Sequence, residues 1–125
     1  MARRPLVSVV DDDESVRESL PALLGELGFE AQGFASAREF LASNSVGVTS
    51  CVILDVAMPG MSGPELHLEL RRRGHAIPTI FITARADERI RLDLLRQGAV
   101  ECLFKPFSDR ALRAALDAAI LNDGR

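Results

Sequence analysis

Four short apolar runs in this chain each end at a polar or charged residue that can bind phosphate or a metal ion. In chain order the runs and the residues after them are Leu6–Val10 before Asp11, Cys51–Leu54 before Asp55, Pro78–Ile82 before Thr83 and Ala99–Phe104 before Lys105. If the runs are parallel strands of one sheet, these four residues lie along its carboxyl edge, where open α/β sheets bind ligands. The pattern therefore predicts a site of carboxylates, a hydroxyl and an ammonium, which suits a carboxylate that accepts a phosphoryl group beside a divalent ion.

Helical patterns separate the apolar runs, and this alternation indicates βα units and a parallel sheet. Apolar residues recur at helical spacing over Glu14–Leu27, and Gly28 follows where a C-terminal cap is expected. Ser36 with Glu39 three residues later is typical of a capping box. The other predicted elements are a strand over Phe29–Gly33, a helix that ends at Leu41, a polar turn over Ser43–Ser50, a helix over Pro64–Arg73, a strand over Ile77–Ile82, a helix over Asp87–Gln97, a strand over Val100–Phe104 and a last helix capped by Ser108 or Asp109.

Length and composition restrict the class of protein. A chain of 125 residues, 47% hydrophobic and 26% charged, is typical of one soluble globular domain. A net charge of −3 argues against a nucleic-acid surface, which needs clustered Lys and Arg. No apolar run approaches the roughly 20 residues that span a bilayer, and the N-terminus lacks the apolar stretch of a secretory signal. We therefore expect a cytoplasmic protein in which Cys51 and Cys102 are reduced core thiols.

Three adjacent carboxylates, those of Asp11, Asp12 and Asp13, follow the first apolar run. They repel one another, so the cluster costs stability unless a cation compensates for the charge. Mg²⁺ prefers oxygen ligands and typically binds one or two carboxylates together with water and phosphate. The alternative is that acids favour the N-terminus of the following helix, and Asp13 or Glu14 fits that role. We predict metal binding for Asp11 and Asp12.

Asp55 follows a buried-type strand and precedes a flexible Met-Pro-Gly loop, so we expect it to be exposed at the edge of the sheet. Such a carboxylate can attack phosphorus and form an aspartyl phosphate. Alone, Asp55 would more often be a turn residue. Thr83 can donate a hydrogen bond to a phosphoryl oxygen, and Lys105 can neutralise one as a compact charge. A cis bond between Lys105 and Pro106 would direct the ammonium inward.

In this combination the chain resembles the receiver domain of two-component response regulators over about residues 5–122. The resemblance implies a three-layer, flavodoxin-like α/β fold with a five-stranded parallel sheet of order 2-1-3-4-5 and five helices. Residues 1–122 are then the receiver domain, and residues 123–125 are a tail or the start of a linker. The motifs that carry the resemblance are Val10–Asp12, Leu54–Asp55, Met58–Gly63, Ile82–Ala84 and Lys105–Phe107.

The same resemblance implies a role for each residue of the site. Asp55 is expected to accept a phosphoryl group from a sensor histidine kinase or a small acyl phosphate, and Thr83 and Lys105 to hold the phosphoryl oxygens. The domain is then a signalling phosphoacceptor that assists its own phosphorylation and dephosphorylation, and not an enzyme in the usual sense. The implied Mg²⁺ ligands are Asp12, Asp55, the backbone carbonyl of Ala57 and, through a bound water, Asp11.

Two features depart from the family pattern. Receivers commonly carry an aromatic residue three positions before the lysine, and here that position is Cys102. Phe104 is expected to point to the opposite face of the strand, which would prevent it from replacing that aromatic residue. Positions two residues after Asp55 and Thr83 often tune hydrolysis of the aspartyl phosphate. Because Ala57 offers no group that could orient an attacking water, we expect slow dephosphorylation.

The output of the domain is the most open question. The local sequence is similar to receivers joined to helix-turn-helix DNA-binding domains, so transcription is the expected output, through a C-terminal domain that this chain does not contain. The alternatives are a stand-alone receiver that signals by docking and a receiver-like interaction module that never carries phosphate. By family analogy, the helix over Asp87–Gln97 and the last strand form the expected docking surface, with a homodimer on phosphorylation.

Overall fold

The computed structural model describes residues 4–121, and of residue 121 the backbone alone. Strands and helices alternate along this part of the chain, and the predicted domain end and tail at residues 122–125 lie outside it. Between residues 4 and 121, no helix combines the length and the apolar character needed to cross a bilayer. The strands are β1 (Leu6–Val10), β2 (Glu30–Phe34), β3 (Cys51–Asp55), β4 (Thr79–Thr83) and β5 (Glu101–Phe104). The helices are α1 (Glu14–Glu26), α2 (Ala37–Ala42), α3 (Gly63–Arg72), α4 (Glu88–Arg96) and α5 (Asp109–Leu121), with a 3₁₀ turn over Val46–Val48.

The five strands form one parallel sheet of order β2-β1-β3-β4-β5, which confirms the predicted topology. In the register of this sheet Val10 lies opposite Leu54, and Thr83 lies opposite Phe104. The carboxyl ends of β1, β3, β4 and β5 therefore meet at one edge. β1 and β3 are neighbours, so the residues that follow Val10 lie beside Asp55.

Helices cover both faces of the sheet, so the fold has three layers. Every residue of β3 and β4 is buried, in keeping with the continuous apolar runs of central parallel strands. One apolar layer joins the sheet to α2, α3 and α4, and the other joins it to α1 and α5. The largest fully buried side chains of the first layer are Phe40, Phe81, Leu54, Leu66 and Leu70, and those of the second are Leu24, Ile53, Ile80, Ile82, Leu112 and Leu116.

The helix caps largely follow the sequence. Ser62 and Glu65 form a reciprocal capping box at the start of α3. Ser36 accepts a hydrogen bond from the Glu39 amide, but the Glu39 carboxylate accepts from the amide of Ala35, one residue before the position that a capping box uses. Of the two predicted caps for α5, the Ser108 hydroxyl accepts from the Ala111 amide. Gly28 and Gly98 follow α1 and α4 at φ values of 101° and 105°, which favour glycine.

Strand β5 contradicts one prediction. Cys102 and Phe104 pack in the same apolar layer as Phe81, while Leu103 packs in the opposite layer. Side chains on a strand alternate between faces with a period of two, so residues two apart share a face, and the opposite placement expected for Phe104 was wrong. Cys51 and Cys102 are both buried, as predicted for core thiols. Burial, followed by the charge of Glu101, raises the pKa of the Cys102 thiol to about 11.

Candidate functional site

Three carboxylates converge at the carboxyl edge of the sheet. One oxygen from each of Asp11, Asp12 and Asp55 lies within 4.8 Å of the others. Asp11 and Asp55 are buried, whereas Asp12 is exposed. The cluster forms because β1 and β3 are adjacent and end at the same level.

The third acid of the first loop has a different position. The Asp13 carboxylate accepts hydrogen bonds from the amide and hydroxyl of Ser15, both at 2.9 Å, and so caps α1. These hydrogen bonds lower the pKa of the Asp13 carboxyl. Asp11 and Asp12 thus contribute carboxylate oxygens to the cluster, whereas Asp13, which lines the same cavity as they do, caps the helix.

Each backbone and side-chain polar group of Asp11 has a hydrogen-bond partner. Its amide donates to the Phe34 carbonyl at 3.0 Å, and its carbonyl accepts from Arg17 Nη1 at 2.9 Å. Its Oδ1 accepts from the Asp13 amide at 2.9 Å, and its Oδ2 accepts from Lys105 Nζ at 3.1 Å. The sequence analysis did not identify Arg17 as part of the site. The one feature of the sequence that could have indicated it is its position early in the helix that follows the acidic triplet.

Lys105 connects the two buried acids. Its Nζ lies 3.1 Å from Asp11 Oδ2 and 3.4 Å from Asp55 Oδ1. Burial alone would lower the pKa of the Lys105 ammonium, but the hydrogen bond and charge of Asp11 and the charge of Asp55 outweigh burial and raise it. The bond from Lys105 to Pro106 is cis, as anticipated from the sequence.

Asp55 is less accessible than predicted. It is the last residue of β3 and not the first of the loop, so it is 7% exposed and not openly exposed at the edge. Burial, followed by the charge of Asp11, raises the pKa of the Asp55 carboxyl to about 6, against the opposing effect of Lys105. The side chain is nonetheless 10% exposed and lines an open cavity of about 380 Å³. A reactant can therefore reach it from solvent.

Thr83 and Ala57 line the same cavity. Thr83 is buried, and its Oγ1 accepts a hydrogen bond from the Arg85 amide at 3.1 Å. The hydroxyl proton of Thr83 remains able to donate to a ligand. The structure thus brings every candidate residue of the sequence analysis to the cavity beside Asp55.

The donor set of this cavity fits a divalent cation of the magnesium type. Mg²⁺ prefers oxygen ligands and is usually bound through one or two carboxylates, with water and phosphate completing the shell. Three carboxylate oxygens within 4.8 Å of one another, one of them on the exposed Asp12, meet that need. Lys105 partly neutralises the buried pair, and a cation would neutralise the rest.

Comparisons with known proteins agree with this geometry. The family model for the response regulator receiver domain matches residues 7–117. Nodulation protein W of Bradyrhizobium diazoefficiens is 44% identical over 120 residues, which are 96% of this chain and 53% of that protein. The transcriptional regulatory protein FixJ of Azorhizobium caulinodans is 40% identical over 114 residues, which are 91% of this chain and 54% of that protein. The crystal structure of FixJ-N matches with a TM-score of 0.85 and 33% identity, over 97% of each chain. The chain spans about half the length of the curated relatives it matches.

Proposed function

This chain belongs to the response regulator receiver family, and on that premise we propose that Asp55 is the residue that accepts the phosphoryl group. The observation that carries the proposal is the position of the Asp55 carboxylate, which shares one solvent-reached cavity with two further carboxylates and lies 3.4 Å from the Lys105 ammonium. A receiver of this kind is a signalling domain and not a classical enzyme.

In the proposed reaction an Asp55 oxygen attacks the phosphorus of a phosphohistidine on a sensor histidine kinase, or of a small acyl phosphate. An oxygen–phosphorus bond forms, and the bond from phosphorus to the imidazole nitrogen or to the acyl oxygen breaks. Such transfers depend chiefly on positioning and charge neutralisation. Lys105 supplies positive charge to the phosphoryl oxygens, and the Thr83 hydroxyl donates a hydrogen bond to one of them.

The residues that would hold Mg²⁺ are Asp11, Asp12, Asp55 and the backbone carbonyl of Ala57. When bound, the cation would neutralise charge on the carboxylates and on the phosphoryl oxygens. Ionisation of Asp55 is the step that this chain must control, because the carboxyl attacks only in its charged form. Lys105 favours that form, while burial and Asp11 disfavour it. Because Ala57 cannot orient a water, we propose that the aspartyl phosphate hydrolyses slowly.

The output that we propose is control of transcription through a domain outside this chain, as in the relative named a transcriptional regulatory protein. A phosphoryl group adds about two negative charges and three acceptor oxygens. A phosphoryl oxygen that accepts the Thr83 hydroxyl proton would draw this side chain toward Asp55. Because the Arg85 amide donates to the same Oγ1, the segment between β4 and α4 would shift with it. The exposed face of α4 and β5 is the proposed docking or dimer surface, and the cytoplasm is the proposed compartment.

The test is incubation of the protein with acetyl phosphate and Mg²⁺, followed by intact-mass analysis. We expect one phosphoryl adduct on the natural chain and none on Asp55→Asn. Asp13→Asn is the matched control, because Asp13 is an adjacent acid that caps α1 and should leave the adduct intact. A chelator should prevent adduct formation. No adduct on the natural chain, or an adduct that persists in Asp55→Asn, would contradict the proposal and favour an interaction module that never carries phosphate.

A further inference from the structure

Arg17 lies on the second turn of α1, outside the motifs that define the site, yet its guanidinium reaches the chain that carries the acids. Its Nη1 donates to the backbone carbonyl of Asp11 at 2.9 Å. We infer that Arg17 is a positioning residue, which fixes the main chain of Asp11 and thereby the spacing of the carboxylates that bind the cation. The inference rests on the proposed function, because it names a residue that acts on the same site.

The carbonyl of Asp11 needs such a partner because of where β1 ends. The Asp11 amide still bonds to the Phe34 carbonyl of β2, but the carbonyl of Asp11 lies one residue past the end of the strand. Asp11 is 0% exposed, so water does not replace a missing donor. A buried carbonyl without a donor is costly, and Arg17 supplies that donor.

The stem of Arg17 is half-buried and faces β2. Gly33 of β2 lies directly beneath it, so that a Cβ at Gly33 would be 3.5 Å from Arg17 Cβ and 3.8 Å from Arg17 Cγ. The aliphatic part of the side chain therefore lies over β2, at a distance that a methyl group at Gly33 would fill. Arg17 thus joins α1 to the loop after β1 through one side chain, and its guanidinium is directed toward Asp11 before any ligand arrives.

The position of the Asp11 main chain also determines where its two carboxylate oxygens lie relative to their hydrogen-bond donors. The Asp13 amide donates to Asp11 Oδ1 at 2.9 Å, and Lys105 Nζ donates to Asp11 Oδ2 at 3.1 Å. A main chain that rotates at Asp11 would move both carboxylate oxygens away from these donors. Partners behind the ligands of a metal site commonly affect its affinity because they orient the ligands.

The positioning role and a purely electrostatic role predict opposite results. If Arg17 acted only as a positive charge near a cation site, its removal would tighten Mg²⁺ binding. If Arg17 positions Asp11, its removal weakens Mg²⁺ binding. High salt distinguishes the two further, because the Debye length falls to about 3 Å at 1 M salt and screens the charge effect while leaving orientation unchanged.

The experiment measures Mg²⁺ affinity by calorimetry, since the chain has no Trp or Tyr to report binding by fluorescence. We expect Arg17→Met to bind Mg²⁺ about tenfold more weakly at both low and high salt, and Arg17→Lys to fall between it and the natural chain. Arg113→Met, on the exposed face of α5, removes the same charge away from the cluster and should bind as the natural chain does. Unchanged or tighter binding by Arg17→Met overturns the inference.

A second measurement needs no metal and checks that the variant is folded. Hydrogen exchange of the Asp13 amide, which bonds to Asp11 Oδ1, should be faster in Arg17→Met, while core amides such as that of Ile53 exchange as before. Unchanged exchange at Asp13 overturns the inference even if the natural chain fails to bind Mg²⁺. If acetyl phosphate labels Asp55 but both Arg17 measurements are unchanged, this inference alone fails. If both measurements change but no adduct forms, the proposed function alone fails.

Discussion

The apolar layers and the carboxyl edge are parts of the same sheet, are buried to a similar extent and have opposite energetic consequences. Phe81 and Leu54 are 0% exposed, and so is Asp11, while Asp55 is only 7% exposed. Burial of the apolar side chains stabilises the fold. Burial of two acids beside each other opposes ionisation, which the raised pKa of Asp55 records. The apolar layers around the edge must therefore supply stability that the buried acids do not.

The largest effect is expected in the first apolar layer. Phe81→Ala should lower the free energy of unfolding by about 3–5 kcal/mol, because it opens a cavity where no solvent reaches. It also removes the edge-to-face contact with His67, whose ring centroid lies 5.6 Å away. Urea unfolding measures the loss. Leu68→Ala is the matched control, since Leu68 is 55% exposed and its truncation should change stability by no more than about 0.5 kcal/mol. Equal losses in the free energy of unfolding would mean that the buried Phe81 contributes no more to stability than the exposed Leu68.

The next-largest predicted effect is a gain in stability, and it concerns Asp55 at the carboxyl edge of the sheet. Asp55→Asn should stabilise the protein by about 1–2 kcal/mol near neutral pH in the absence of Mg²⁺. The native pKa of about 6 exceeds the ordinary value of 3.8, so the folded state holds the proton more tightly than the unfolded state. The resulting stability is present below the ordinary pKa and is lost as pH rises through the native one. Unfolding followed from acid to neutral pH should show this loss in the natural chain and not in Asp55→Asn.

Asp13→Ala is the control for that result. Asp13 caps α1, so its truncation should cost about 1 kcal/mol and not stabilise the protein. A gain in stability for both variants would mean that any reduction of negative charge helps, and that the position of Asp55 has no special effect.

The sequence predicted the fold well where burial and local chemistry agree. The runs that became β3 and β4 are apolar throughout because both of their faces are covered, and the strand order followed from the family resemblance. The cap of α1 at Asp13 depends on nearby residues, and the pattern in the sequence anticipated it as one of two choices.

Tertiary features were harder to predict. That Asp55 belongs to β3 depends on its pairing with Ile82, which no local pattern reveals. The hydrogen bond from Arg17 to the Asp11 carbonyl depends on the angle at which α1 packs against the sheet. The wrong face assigned to Phe104 was an error of counting, since the period of a strand was sufficient to place it with Cys102.

A neutral polar pair between β1 and the segment before β3 gives a smaller effect. Ser8 Oγ and Thr49 Oγ1 lie 2.8 Å apart and both residues are buried. Ser8→Ala should cost about 1 kcal/mol, because the hydrogen bond between the two buried hydroxyls is lost while Thr49 Oγ1 still donates to the Ser45 carbonyl. A double-mutant cycle with Thr49→Val, measured by urea unfolding, should give a coupling of about 0.5–1.5 kcal/mol that favours the pair. A coupling near zero would show that this buried neutral pair contributes nothing to stability.

The smallest effect concerns His67 and runs in the opposite pH direction from that of Asp55. His67 is 3% exposed, and its Nδ1 has no hydrogen-bond partner among residues 4–121. Burial, followed by the charge of Arg71, lowers the pKa of the imidazole below 6.5. The folded state thus favours neutral His67, so its contribution to stability is present above the ordinary pKa and is lost as pH falls through 6.5 toward the native value. Between about pH 7 and pH 6 the loss should be about 0.5 kcal/mol.

The measurement belongs in the Asp55→Asn background, because the Asp55 carboxyl titrates near pH 6 and would mask the change. In that background, unfolding by urea should show stability falling with acidity, and a further His67→Leu substitution should remove the slope. The substitution to leucine also removes the buried Nδ1 atom that lacks a hydrogen-bond partner. At the lowest pH measured, the double variant should therefore be no less stable than Asp55→Asn. A slope that survives His67→Leu would assign the acid sensitivity to another group. Asp55 and His67 would then no longer oppose each other across the pH range, and the contrast between edge and core would rest on Asp55 alone.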